Sequence, residues 1–213
     1  MAKNKWMRGV FGAVAVGALA VSLAGCAGAA EPGTDGGDGE ATGGDVLTVG
    51  FVAVGPEGGW RAANEQAVKD AFSTDAGFDL KYAPAASPSD QKSQLDAFST
   101  FVNDEVDVIL LTATEASGWE DSLKLAQEAE IPVILLDRGV DAPDDLYVTR
   151  IAPDNVQVAA SVGAWAVETF PEGANYFVLE GVPGLSVVNE RNEGFKAELE
   201  GKTGWTEVGA QTA

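Results

Sequence analysis

Three short stretches of this 213-residue sequence carry side chains suited to recognition chemistry. Gly55-Pro56-Glu57-Gly58-Gly59-Trp60-Arg61 sets an aromatic plane beside a carboxylate and a guanidinium. A sugar needs that combination, because its C–H faces stack on a ring and its hydroxyls take directional bonds from charged donors and acceptors. Spacing alone favours a plainer reading, with Trp60 as the first core residue of a helix and Arg61 in solvent. Asp137 and Arg138 follow six apolar residues, Ile131 to Leu136, which deliver two opposite charges to the end of a strand. An adjacent acid and guanidinium can bind vicinal hydroxyls, although the same pair on an open surface is worth little. Arg191 shares a helix face with Val187 and Phe195. Either it snorkels to solvent from the edge of that face or it aims a cation into a cleft, and spacing leaves both open.

Composition removes most other chemistry. There is no His, which excludes Ser-His-Asp and Cys-His nucleophiles and the helical zinc-protease motif. A single Cys excludes an intramolecular disulfide and a Cys-based zinc cluster. With 13 Lys+Arg against 33 Asp+Glu the formal charge is −20, which argues against nucleic acid and anionic lipid as partners. The turn before Trp60 has neither the G-x-G-x-x-G spacing nor the G-K-[ST] of a phosphate loop. No cofactor and no metal is implied. An enzyme built on Asp137 and Glu57 as paired carboxylates stays as an alternative to pure binding.

These residues need elements to position them. Apolar runs predict strands over 46–52, 78–82, 106–111, 131–136, 147–151 and 176–179, with 205–208 opening a seventh. Between them, helical spacing covers 58–75 through Trp60, Ala63, Ala67 and Ala71, and 116–130 through Trp119, Leu123 and Ala126. It also covers 154–170 through Val156, Ala159, Gly163, Ala166 and Phe170, and about 185–200. Ser87-Pro88 reads as cap and first position of a further helix that buries Leu95, Phe98 and Val102. Trp119 reads as core, and Asp154 with Gln157 as a capping box. Short apolar strands alternating with helices imply an α/β, doubly wound parallel sheet covered on both faces. Ligands of such folds sit outside the carboxyl ends of the strands, where Glu57, Trp60, Asp137 and Arg138 fall.

The first 45 residues read differently. Lys3, Lys5 and Arg8 precede an uncharged run from Val10 to Leu23, too short to span a bilayer and fit for a secretory leader. The following Leu23-Ala24-Gly25-Cys26 resembles a bacterial lipobox, which implies cleavage after residue 25 and a lipid on Cys26. Cleavage would remove three cations and no acid, taking the charge from −20 to −23. Residues 26–45, rich in Gly and acids, predict a flexible, self-repelling tether.

Together, Val49-Gly50-Phe51 through Gly59-Trp60-Arg61-Ala62-Ala63, Gly118-Trp119-Glu120 through Leu136-Asp137-Arg138, and Asn189-Glu190-Arg191-Asn192-Glu193-Gly194-Phe195 resemble one family. It is the type I periplasmic sugar-binding proteins of ABC transporters, the ribose- and galactofuranose-binding group. The resemblance implies two α/β lobes around a hinge, with a monosaccharide in the cleft, a hexose in furanose form among the candidates, and a membrane permease as partner. It implies ring stacking on Trp60, a first-loop polar contact from Glu57 or Arg61, an acid–arginine pair at Asp137 and Arg138, and a second-lobe cation at Arg191. A hinge crossing near Ala152-Pro153-Asp154 divides an N-terminal lobe, 46–153, from a partial C-terminal lobe, 154–213. Two lobes need on the order of 100–150 residues each, so residues 46–213 supply one and part of the next, and a fragment is expected. The expectation is an extracytoplasmic, lipid-anchored monomer that captures sugar and is not an enzyme. A sugar sensor for a membrane receptor is the alternative.

Overall fold

The computed structural model describes residues 46–212. The leader, tether and Cys26 read from the sequence lie outside the described residues.

Val49, Phe51 and Ala53 of β1 (Leu47–Ala53) pack on one side of a sheet and Val52 on the other, as alternation along a strand requires. All are fully buried, so this strand is covered on both faces. It pairs in parallel with β2 (Phe78–Pro84) and β3 (Val108–Leu111). Addition of β4 (Val133–Leu136) and β5 (Thr149–Ile151) gives the order β2-β1-β3-β4-β5, parallel throughout. The chain thus reverses its winding between β1 and β3, and in open α/β sheets that switch point is where a crevice forms.

Helices α2 (Gln91–Asn103) and α3 (Glu120–Glu128) cover one face. Phe98, Phe101, Leu123 and the residue before α3, Trp119, pack over Val52, Ile109, Leu111 and Leu135. Trp119 is a core residue, as read from the sequence, and its Nε1 donates to the Glu115 carbonyl at 2.9 Å. Phe101 lies directly over Gly50, where a Cβ would come within 2.6 Å of the ring, so the glycine makes room for the aromatic. On the opposite face, α1 (Gly59–Ala71) sets Val68, and Phe72 at its end, against Val49, Phe51 and Leu110.

A second, two-stranded parallel sheet joins β6 (Asn175–Glu180) to β7 (Thr206–Thr212). Helices α4 (Asn155–Thr169) and α5 (Ser186–Leu199) accompany it. These helices meet at glycines: a Cβ on Gly194 would stand 2.0 Å from the Val156 carbonyl oxygen, and one on Gly163 2.7 Å from Glu198 Cβ. Asp154 caps α4 by accepting from the Gln157 amide at 2.8 Å.

Two expectations are corrected. First, the face of α1 read from Trp60, Ala63, Ala67 and Ala71 is its exposed side; the buried residues are Arg61 and Glu65. Charged groups occupy the inner face because each finds partners there, which relieves the cost of burying them. Second, α2 begins at Gln91 and is capped by Asp90, whose side chain accepts from the Ser93 amide at 3.1 Å. Ser87 and Pro88 form the preceding turn, closed by the Asp90 amide on the Ser87 carbonyl at 3.0 Å. Helix α2 also buries Gln94, Phe98 and Phe101, while Leu95 and Val102 are only partly buried.

Candidate functional site

The floor of the site is fixed by two buried polar side chains that sequence spacing did not single out. Gln94 of α2 donates through Nε2 to the carbonyls of Ala53 (2.9 Å) and Thr112 (2.8 Å). Its Oε1 accepts from the Thr114 amide (2.8 Å) and hydroxyl (2.9 Å). An amide has two donors and two acceptor positions, and all four are used to tie the ends of β1 and β3 together. Glu65 of α1 accepts from the Gly55 amide at 2.8 Å and from the Tyr82 hydroxyl at 2.5 Å, and so holds the start of the loop that carries Glu57. Burial, then the hydrogen bond to Glu65 and its charge, push the Tyr82 hydroxyl well above its ordinary pKa.

Four of the sequence-derived residues meet above this floor as two crossed ion pairs. Arg61 Nη2 donates to Asp137 Oδ2 at 2.6 Å. Arg138 Nη2 reaches both carboxylate oxygens of Glu57 at 2.6 Å, and its Nη1 donates to the Ala113 carbonyl at 3.3 Å. Arg61 Nε also stands 3.5 Å from Glu57 Oε2, which joins the pairs into one cluster. Both guanidiniums are buried, Arg61 at 3% and Arg138 at 6% exposure. Asp137 and Arg138 are therefore not the surface pair their adjacency allows. Each crosses to the loop or helix after β1. Asp137 has φ 66, a left-handed backbone that turns successive side chains apart at the end of β4.

Trp60 is 60% exposed, so the spacing-based reading of it as core is overturned; Arg61 Cζ stacks 4.9 Å from its ring centroid. Tryptophan faces solvent and arginine faces inward, the reverse of what helical spacing favoured. Arg191 is exposed, with its Nε donating to Asn155 Oδ1 at 3.0 Å. A cleft of about 320 Å³ brings Glu57 and Arg138 opposite Val187, Val188 and Arg191 of α5. That size lies at the lower end of small-molecule pockets. Trp60, Arg61 and Asp137 do not line it.

A further network lies beside the cleft. Arg150 of β5 and Glu190 of α5 form an ion pair at 2.5 Å, and Asn155 Nδ2 donates to Glu190 at 3.0 Å. Burial alone would raise the Glu190 pKa, but hydrogen bonds from Arg150 and Asn155 and the Arg150 charge outweigh it and hold the carboxyl below its ordinary 4.5. The sequence offered one signal for this, an Arg in the middle of the short β5 run.

The chemistry available is recognition of hydroxyl-rich, uncharged surfaces. Guanidiniums and carboxylates are fixed by one another, and an exposed indole lies at the edge. A doubly wound parallel sheet carries this cluster at the carboxyl ends of its strands, the position where open α/β sheets form a crevice. The comparisons with known proteins agree: a family model described as a periplasmic binding protein domain matches residues 49–213, and the chain belongs to that family. Its fold is that of the type I periplasmic binding proteins, and it fits the ribose- and galactofuranose-binding group.

Two relatives and one solved structure make the likeness specific. The chain is 54% identical over 152 residues to the fructose import binding protein FruE of Bifidobacterium longum, covering 70% of this chain and 46% of that protein. It is 41% identical over 151 residues to the galactofuranose-binding protein YtfQ of Escherichia coli, again covering 70% and 46%. The binding protein of an arabinose ABC transporter from Shewanella sp. ANA-3, solved with L-arabinofuranose, superposes with a TM-score of 0.71 at 34% identity. That match covers 78% of this chain and 54% of the other. The chain thus spans about half the length of the curated relatives it matches.

Proposed function

We propose that this protein captures a monosaccharide, held as a furanose, for an ABC importer. The observation that carries the reading is the crossed pairing of Arg61 with Asp137 and Arg138 with Glu57 at the carboxyl ends of a doubly wound sheet, with Trp60 exposed beside it. Relatives named for fructose import and galactofuranose binding, and a structural neighbour holding arabinofuranose, support the sugar class and its ring form. In this reading Trp60 stacks on the sugar's C–H face. Glu57 and Arg138 bond its hydroxyls from one wall of the cleft and Arg191 reaches it from the other, while the contacts of Trp60, Arg61 and Asp137 require the sugar to extend past the cleft toward them. The break between the two sheets supports a lobe boundary near residue 153, as a hinge on which the walls close.

Both carboxylates are engaged by guanidiniums, which favours binding over a carboxylate-based reaction. The partner in this reading is a membrane permease. The protein acts outside the cytoplasm as a monomer, tethered through a lipid on Cys26. Titration calorimetry of this chain with arabinose, fructose, ribose and galactose tests it. Saturable heat with at least one sugar, lost in Arg138→Met, is the expected result; no heat with any of them overturns the reading.

A further inference from the structure

Arg150 reaches two ways from the edge strand β5. Toward β4, its Nε and Nη2 donate to the main-chain carbonyl oxygen of Asp137 at 2.9 and 2.8 Å. Toward α5, its Nη1 and Nη2 donate to Glu190 Oε1 and Oε2 at 2.5 and 3.1 Å. A guanidinium has five N–H groups, and these contacts occupy four, so Arg150 is committed to protein partners and is not free to bind a ligand. The carbonyl it grips belongs to the left-handed residue whose carboxylate holds Arg61. The carboxylate it grips also accepts from Asn155 Nδ2, and Asn155 Oδ1 in turn accepts from Arg191 Nε. A continuous path of hydrogen bonds therefore joins Arg61 on one wall to Arg191 on the other, and Arg150 is its midpoint.

Two neighbouring features reinforce the joint. The Gly139 amide donates to Ser186 Oγ at 2.8 Å, a second tie from the turn after β4 to the first residue of α5. A Cβ on Gly139 would stand 3.1 Å from Arg150 Nη1, so the guanidinium is seated against a position that leaves little room for a side chain.

We propose that Arg150 is a positioning residue for the sugar site, clamping the Asp137–Arg138 turn to α5 through Glu190 and so setting the distance between the two walls. This rests on the functional reading above. It goes beyond that reading by assigning the geometry of the site to a residue that touches no ligand.

The test has two arms, both on this chain. Hydrogen exchange without sugar reads the clamp itself. Arg150→Met is expected to speed exchange of the 137–139 turn and the first turns of α5 by about tenfold or more, the scale of a residue acting through a network, with β1 and β3 unchanged. Calorimetry with whichever of arabinose, fructose, ribose or galactose binds the wild type reads the consequence. Arg150→Met is expected to weaken that sugar about tenfold. Arg150→Lys keeps the charge beside Glu190 but cannot bridge to the Asp137 carbonyl as a fork does, so it should restore the melting temperature and not the affinity. A merely structural role would restore both together, and that result overturns the proposal. Unchanged exchange at 137–139 in Arg150→Met overturns it too. Absence of heat with the wild type would overturn the functional reading and the positioning role with it, a failure set apart from loss of the clamp because exchange needs no sugar.

Discussion

Asp137 combines a strained backbone with a sheltered charge, and three substitutions separate the two. At φ 66 it occupies the left-handed region, which costs an ordinary side chain about 1–2 kcal/mol and Asp or Asn less. Its carboxylate, 15% exposed, meets Arg61 at 2.6 Å, and the Arg61 side chain is 4% exposed. Removal of one partner from a buried pair costs about 3–5 kcal/mol. Glu57 lies 3.5 Å from Arg61 Nε and takes up part of the charge, which brings the expected loss to about 2–3 kcal/mol. Asp137→Gly loses the pair and relieves the backbone, although glycine itself costs about 0.5–1 kcal/mol in chain entropy. Asp137→Ala loses the pair and adds left-handed strain, so it should lie about 1 kcal/mol below Asp137→Gly. Asp137→Asn tolerates the backbone and can still accept a bond from Arg61, so it should lose least, about 1–2 kcal/mol. Urea unfolding followed by circular dichroism at neutral pH orders the four proteins. Asp137→Gly as stable as the wild type would refute the ion-pair argument, and Asp137→Ala as stable as Asp137→Gly would refute the backbone argument.

Other expectations follow from the same geometry. Gly194→Ala places a methyl 2.0 Å from the Val156 carbonyl oxygen and should force α4 and α5 apart, at about 3 kcal/mol or more in thermal unfolding. Gln94→Leu removes the partner of the Thr112 carbonyl and of the Thr114 amide, each worth about 1–3 kcal/mol when buried without a partner, while the Ala53 carbonyl keeps its bond from the Ala85 amide, so a loss of about 2 kcal/mol or more is expected by urea unfolding. Glu190 has a folded pKa below its ordinary 4.5, so its contribution is complete above that value and disappears as pH falls through the lowered one. The stability gap between the wild type and Glu190→Gln should therefore hold steady from about pH 7 to about pH 5 and close in more acid solution; a gap that opens on acidification contradicts this.

Strands β3 and β4 were legible because each is a continuous apolar run, Val-Ile-Leu-Leu, packed on both faces, and such a run needs no pattern beyond its length, whereas the edge strands β2 and β5 carry Asp79, Lys81 and Arg150 among their apolar residues. Helix α3 was legible through Trp119, Leu123 and Ala126, which are all fully buried. Helix α1 was misread because its buried face is polar. Hydrophobic spacing picks out Trp60 and alanines, while Arg61 and Glu65 are buried by partners at Asp137, Gly55 and Tyr82. Asp137 lies 76 residues from Arg61, and no local pattern reports such a pairing. Asp137 and Arg138 were legible as charges delivered by an apolar strand, but their crossed partners were not. Gln94 was hidden among polar residues of α2. Arg150 and Glu190 are 40 residues apart and meet only because β5 lies next to α5 in the fold.

A crystal structure of this chain with the sugar that gives the largest heat is the most direct test of the central claim. A furanose ring is expected against the Trp60 indole, with hydroxyls within hydrogen-bond distance of Arg138 and Arg191. A sugar bound elsewhere on the molecule, with Trp60, Arg138 and Arg191 untouched, would contradict it.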